Sequence, residues 1–292
     1  MEHIALYAKA VRNEFDMEID PIEYSKFKFG SKSIARKFGE QLAEKFIKYF
    51  IDEGGRHNYK NQQIVVISSP YSFIPTATFA MKDYFIREVN NSLVEYGLPV
   101  IQETKIHRTV TYKEDYGELN AEQRSALISK DSFHIDKEFV KDKLCLFLDD
   151  IIVTGSHQKV IERMINEYNL DIEFIFLYYA ALTDSVTHPQ IENYLNYAFV
   201  KNLANIDEII HNEKEGFLLN TRTVKYILNS NSAEFIQFID LQNIHFSSNL
   251  FHQAIGNSYH LIDSYKPNLL LLQKYLNEYR LNKIRDKERA SC

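Results

Sequence analysis

The segment Leu144-Cys-Leu-Phe-Leu-Asp-Asp-Ile-Ile-Val-Thr-Gly-Ser-His157 decides the fold. Leu144 to Leu148 is an unbroken apolar run of strand length, which predicts a strand buried on both faces. Asp149 to Ser156 reads as a loop. From Gln158 to Tyr168, Val160, Ile161, Met164 and Ile165 recur at helical spacing. Strand, loop and helix in this order form one half of a parallel crossover unit.

The same alternation extends in both directions. Upstream, the β-branched run Ile64 to Ile67 predicts another buried strand, followed by a loop from Ser68 to Pro75 and a helix from Thr76 to Tyr96. Gly97-Leu-Pro99 stops that helix before a strand beginning at Val100 and Ile101. Downstream, Ile172 to Ala181 is a further apolar strand. Right-handed crossovers then give a parallel sheet with both faces covered and a ligand site beyond the carboxyl ends of its strands. Ahead of it, Ile34, Phe38, Leu42, Phe46 and Phe50 mark one face of a helix over 33–51, ended by Gly54-Gly55. Residues 104–143 are polar, with a short helical pattern near Ala121–Ile128. Beyond Leu182 the pattern turns helical, at Thr221–Leu228, Ala233–Ile239, Leu250–Tyr265 and Leu269–Leu281, with a charged tail from Lys283. The expected organisation is an α/β domain over 1–181 and a mostly helical region over 182–292.

The loop after Leu148 has the chemistry of a phosphate site. A loop entering a helix offers unpaired N–H groups at the positive end of the helix dipole. Gly155 lets the backbone approach an anion closely, and the Thr154 and Ser156 hydroxyls can donate to it. Asp149 and Asp150, just past the strand, suit the hydroxyls of a sugar, directly or through a magnesium ion. Acidic pairs in turns and Thr-Gly-Ser in loops are each commonplace; their conjunction between a buried strand and a helix is what points to a ligand.

With these residues in place, Phe147 to Ser156 resembles the PRPP-binding motif of type I phosphoribosyltransferases. The resemblance implies a parallel-sheet type I phosphoribosyltransferase fold, here with a C-terminal helical extension. It further implies that Asp149 and Asp150 contact the ribose hydroxyls and take part in Mg2+ binding, while Thr154, Gly155 and Ser156 surround the 5-phosphate. Two positions depart from the pattern. Val153 stands where purine-salvage members carry a catalytic aspartate, and His157 where threonine is usual. The first argues against a hypoxanthine–guanine type of enzyme; the second adds a candidate phosphate ligand. Ser68, Ser69 and Tyr71 lie where the family has its pyrophosphate loop, without that loop's usual glycines. The polar stretch 104–143 corresponds to the family's hood, and its Arg108 and Arg124 are candidates to neutralise departing pyrophosphate; Lys105 and His107 lie in the same stretch. Arg108 with Leu119 to Arg124 and Phe133 is similar to competence-associated members. Tyr24 to Gly30 together with Ser69-Pro-Tyr71, Pro75-Thr-Ala77 and the 149–157 motif resembles phosphoribosyltransferase-like proteins of bacterial tellurite-resistance and stress gene clusters.

The expected activity is PRPP-dependent phosphoribosyl transfer to an unidentified base-like or other nitrogen acceptor. Two rivals stand beside it: a non-catalytic regulator that binds PRPP or a nucleotide, and a phosphohydrolase with Asp149 as nucleophile. Bulk properties narrow the field. The 292 residues are 45% hydrophobic and 25% charged, as folded chains are. A net charge of −6 argues against nucleic acid as the partner. No apolar run reaches membrane-spanning length and no signal pattern opens the chain, so a soluble cytoplasmic protein without a membrane partner is expected. Cys145 and Cys292 suggest neither a disulfide framework nor a metal site. A homodimer is the assembly considered, although nothing in the sequence specifies it.

Overall fold

Strand-forming runs and amphipathic helices alternate as the sequence predicts, and the computed structural model describes residues 4–59, 62–108, 133–184 and 190–290. The strands are Ile4–Val11 (β1), Ile64–Ser68 (β2), Gln102–Glu103 (β3), His107–Arg108 (β4), Phe133–His134 (β5), Leu144–Ile152 (β6) and Glu173–Leu182 (β7). Five of them form a parallel sheet in the order β1-β7-β6-β2-β3, and β4 pairs antiparallel with β5. The expected α/β architecture with its parallel sheet is therefore present. β1 is not among the strands expected from the sequence, although Ile4 to Ala8 is a short apolar run; as an edge strand it leaves Ala5 and Tyr7 exposed.

Strand alternation sorts the sheet into two faces. Leu144, Leu146 and Leu148 of β6 pack with the helices Pro21–Lys28 (α1), Lys32–Ile47 (α2) and Ala77–Glu95 (α3). Cys145 and Phe147 face the opposite layer with Ile161, Met164 and Ile165. These last three belong to Ser156–Glu167, which follows the short helix Lys137–Val140 (α4) and is designated α5. One expectation is corrected here. β6 does not stop at Leu148 but runs through both aspartates to Ile152. β7 is long enough to pair with Ile151 and Ile152 after β2 has ended at Ser68.

Beyond the sheet come Ile191–Asn196 (α6), Leu203–Asn212 (α7), Thr221–Leu228 (α8), Ser232–Leu241 (α9), Ile244–Gly256 (α10) and Lys266–Ala290 (α11). The helix expected over Leu250–Tyr265 is interrupted. Ser258 takes a left-handed conformation (φ 58°), so α10 ends and a short 3-10 turn follows at Tyr259–Leu261. The helical core is built on Leu250, Tyr259, Leu272 and their neighbours, and it also takes in Phe29 from the end of α1 and Ile74 from the loop after β2. Among the described residues no helix is long and apolar enough to cross a membrane. The pattern at Ala121–Ile128 and residue Cys292 lie outside the described residues.

Candidate functional site

Adjacent residues on a strand point to opposite faces, so Asp149 and Asp150 have separate surroundings. Asp149 turns toward α5 and the loop after β2. Its Oδ2 lies 2.7 Å from His157 Nδ1, and its Oδ1 accepts from Ser69 Oγ at 2.6 Å. Ser69 in turn meets Thr78 Oγ1 at 2.8 Å, and Thr78 meets Thr76 Oγ1 at 2.7 Å. Burial alone would push the Asp149 carboxyl up; the charge and hydrogen bond of His157, with Ser69 and the Asp150 amide, outweigh it and hold the group below the usual carboxylate range.

Asp150 turns toward α1, where it pairs with Lys28 and accepts from the Tyr24 hydroxyl. Burial raises its pKa against the pull of Lys28, and the charge of Asp149 raises it further. Tyr24 and Lys28 are four residues apart, so one helical face delivers both to the same carboxylate. The helix that carries them starts on Asp20, whose side chain accepts from Ile22 N at 2.8 Å, and on Pro21 at its first position. That Asp-Pro start is a legible sequence signal for α1, although it does not reveal which carboxylate Tyr24 and Lys28 reach.

The Thr154–Ser156 loop has the backbone form that its glycine permits. Gly155 sits at the helix boundary with φ 67°, a conformation that favours glycine, and a Cβ there would meet only Ile152 at 4.0 Å. Glycine supplies no capping side chain, which leaves the start of α5 open to an anion. Thr154 and Ser156 hydroxyls lie 2.8 Å apart beside it.

Ser69, Arg108, Asp149, Asp150, Thr154, Gly155, Ser156 and His157 all line one cavity of about 200 Å³ at the carboxyl end of β6. Val153, Phe133, Tyr178 and Glu192 also line it. The other candidates are placed differently. Ser68 is buried at the end of β2, paired with Leu148, and Tyr71 stacks under the Lys105 ammonium at 3.9 Å. Neither reaches the cavity wall. Arg108 is tied to this loop through the Arg108 N to Tyr71 O hydrogen bond, 3.4 Å. Arg124 lies outside the described residues. Among the described residues, no group of three or more His, Cys, Asp or Glu side chains converges to hold a metal ion.

The cavity, with a glycine-turned loop at a helix start and two carboxylates at a strand end, has recognisable relatives. A model of the PRTase ComF-like family matches residues 1–272. No curated protein matches the chain. Among solved structures, a hypoxanthine phosphoribosyltransferase from Staphylococcus aureus is similar, at 11% identity over 53% of this chain and 76% of that one, with a TM-score of 0.32. The hypoxanthine-guanine phosphoribosyltransferase of L. donovani is 14% identical over 51% and 73%, with a TM-score of 0.29. The hypoxanthine phosphoribosyltransferase of Trypanosoma cruzi is 13% identical over 53% and 77%, with a TM-score of 0.30. Since the family match runs from the first strand into the start of the last helix, this chain belongs to the PRTase ComF-like family.

Proposed function

We propose that the protein transfers the phosphoribosyl group of PRPP to a nitrogen nucleophile and releases pyrophosphate. The observation that carries this reading is the convergence of Asp149 and the Thr154–Ser156 loop on one cavity, with Ser69 bonded to Asp149 in the same wall. In the transfer, the bond from ribose C1 to the pyrophosphate oxygen breaks and a C1–N bond forms; the acceptor nitrogen gives up its proton to water. The transition state is oxocarbenium-like, so positioning and stabilisation of the leaving charge dominate. In this reading Asp149 holds the ribose hydroxyls and Thr154, Gly155 and Ser156 hold the 5-phosphate. His157 borders that loop while bonded to Asp149, and it orients the carboxylate from there. Arg108, at the cavity wall, faces the leaving pyrophosphate.

The donor set suits a magnesium ion that arrives on the substrate. Asp149 is an ionised carboxylate at the wall, while Asp150 is already engaged by Lys28 and Tyr24. Asp149, with Asp150 behind it, would hold such an ion together with PRPP oxygens. The ion would neutralise charge on the diphosphate. A second reading, PRPP binding without turnover, is favoured by the absence of glycine between Ser68 and Ala77. Calorimetric titration of PRPP with magnesium tests the first part: wild type binds, and the Asp149→Asn, Asp150→Asn double variant loses most of the affinity. Retained affinity in that variant refutes the assignment. Pyrophosphate release with a panel of nitrogen acceptors then separates transfer from binding alone.

A further inference from the structure

The loop from Ser69 to Pro75 carries a puzzle that the proposed function leaves open. Loops that cradle a diphosphate present backbone amides to the anion, and glycine normally provides the freedom to orient those peptides. This loop has no glycine. Its peptides are oriented from outside, by the helical region.

Asn257, just past the end of α10, is 5% exposed and points its Oδ1 into the loop. It accepts from Phe73 N at 2.9 Å and from Ile74 N at 3.1 Å. Its Nδ2 donates to the Tyr259 hydroxyl at 3.0 Å. With two amide donors on one side and Tyr259 on the other, only one orientation of the side-chain amide fits. Thr221, the first residue of α8, holds the next two carbonyls. Its Oγ1 donates to Ile74 O at 2.8 Å, and its backbone N–H to Pro75 O at 2.8 Å. Ile74 is fully buried in the helical core, and the Phe73 ring lies where a Cβ on Gly256 would sit. Three consecutive loop residues are thus fixed by hydrogen bonds or burial, all from beyond residue 220. The start of the loop bears on the cavity directly, because Ser69 bonds Asp149.

We propose that Asn257 and Thr221 are positioning residues for the diphosphate end of the substrate, so that the helical region sets affinity for that end without touching it. This rests on the phosphoribosyl reading above. Neither residue lines the cavity, and their action is through the backbone of 73–75. A purely structural role would weaken all ligands together; a positioning role is selective for the end of the substrate that the loop serves.

The test is calorimetry on the full chain with three probes: magnesium pyrophosphate, PRPP and ribose 5-phosphate. In Asn257→Ala, one buried and one part-buried amide lose their acceptor and the loop relaxes. Affinity for pyrophosphate and for PRPP is expected to fall about tenfold or more. Ribose 5-phosphate, held by the 154–156 loop, is expected to keep its affinity to within about twofold. Thr221→Val retains the backbone bond and the shape of the side chain but removes its hydroxyl; it should show the same selectivity more weakly, and it serves if Asn257→Ala does not fold. Unchanged pyrophosphate affinity in a folded variant, or an equal loss for all three probes, overturns the proposal. If the wild-type chain binds ribose 5-phosphate but neither pyrophosphate nor PRPP, it is the phosphoribosyl reading itself that fails.

Discussion

Replacing Lys28 by methionine isolates the energetics of the acidic pair. Lys28 and Asp150 form an ion pair with side chains only 13% and 7% exposed, so solvent screens it little. Methionine fills much of the same volume but removes the charge, leaving Asp150 buried with the Tyr24 hydroxyl as its remaining named partner. Breaking one side of a buried pair costs about 3–5 kcal/mol, because the stranded charge has lost both water and its counter-ion. The residual hydrogen bond from Tyr24 and the opening of Asp150 to the cavity place the expected loss near the lower end, about 3 kcal/mol. For a chain of this size that corresponds to a melting temperature lower by roughly 5 °C. Urea denaturation followed by circular dichroism measures it. Adding Asp150→Asn to Lys28→Met removes the stranded charge and should recover about 2 kcal/mol of the deficit. A Lys28→Met variant within about 1 kcal/mol of wild type, or a double variant no more stable than the single, refutes the claim that Lys28 neutralises Asp150.

Two further outcomes follow from the packing. Gly39 lies where α2 crosses α3, and a Cβ there would come to 2.5 Å from Met81 O and 3.0 Å from Phe85 N, both backbone atoms. Gly39→Ala should therefore cost about 1–3 kcal/mol despite alanine's better helix propensity, and an unchanged urea midpoint would show that the crossing is looser than described. Burial pushes the Cys145 thiol up to about 12. A raised folded value favours the native state below the thiol's unfolded pKa of about 8.5 and loses that contribution as pH rises through the folded value. In a Cys292→Ser background, a thiol reagent at about pH 8 should label Cys145 only as fast as the protein unfolds; rapid labelling of the folded protein contradicts the burial.

The central strands are legible because they are buried on both faces and read as apolar runs, 64–67, 144–148 and 174–181. β1 is an edge strand with Ala5 and Tyr7 exposed, and its short run Ile4 to Ala8 stands apart from the strand–helix alternation that marks the others. The end of β6 was also misplaced. Aspartates read as a loop in isolation, whereas the strand boundary is set by how far the neighbouring β7 extends. At the site, the Asp149–His157 segment needed only local spacing, and its members do share a cavity. The partners of that segment are a different matter. Lys28, Ser69 and Asn257 act across distances in sequence that no periodicity encodes. Tyr71 and Ser68 show the converse: they occupy the expected place in the chain, yet one stacks with Lys105 and the other is sealed into the strand.

The placement of β1 at the edge of the sheet against β7 has a consequence for biosynthesis. Ile4 can pair with Ile175 only after both have left the ribosome, so β1 must wait for β7. Phe29 and Ile74 wait longer still, since the side chains that bury them include Leu250, Tyr259 and Leu272. A nascent chain that has completed β6 and α5 already contains every residue of the 154–156 loop, but it presents an unpaired edge at β6 and an unburied loop after β2. The surroundings of the site are therefore completed late, once the residues beyond 250 are available, and the intermediate that precedes this step exposes a strand edge and apolar surface to aggregation.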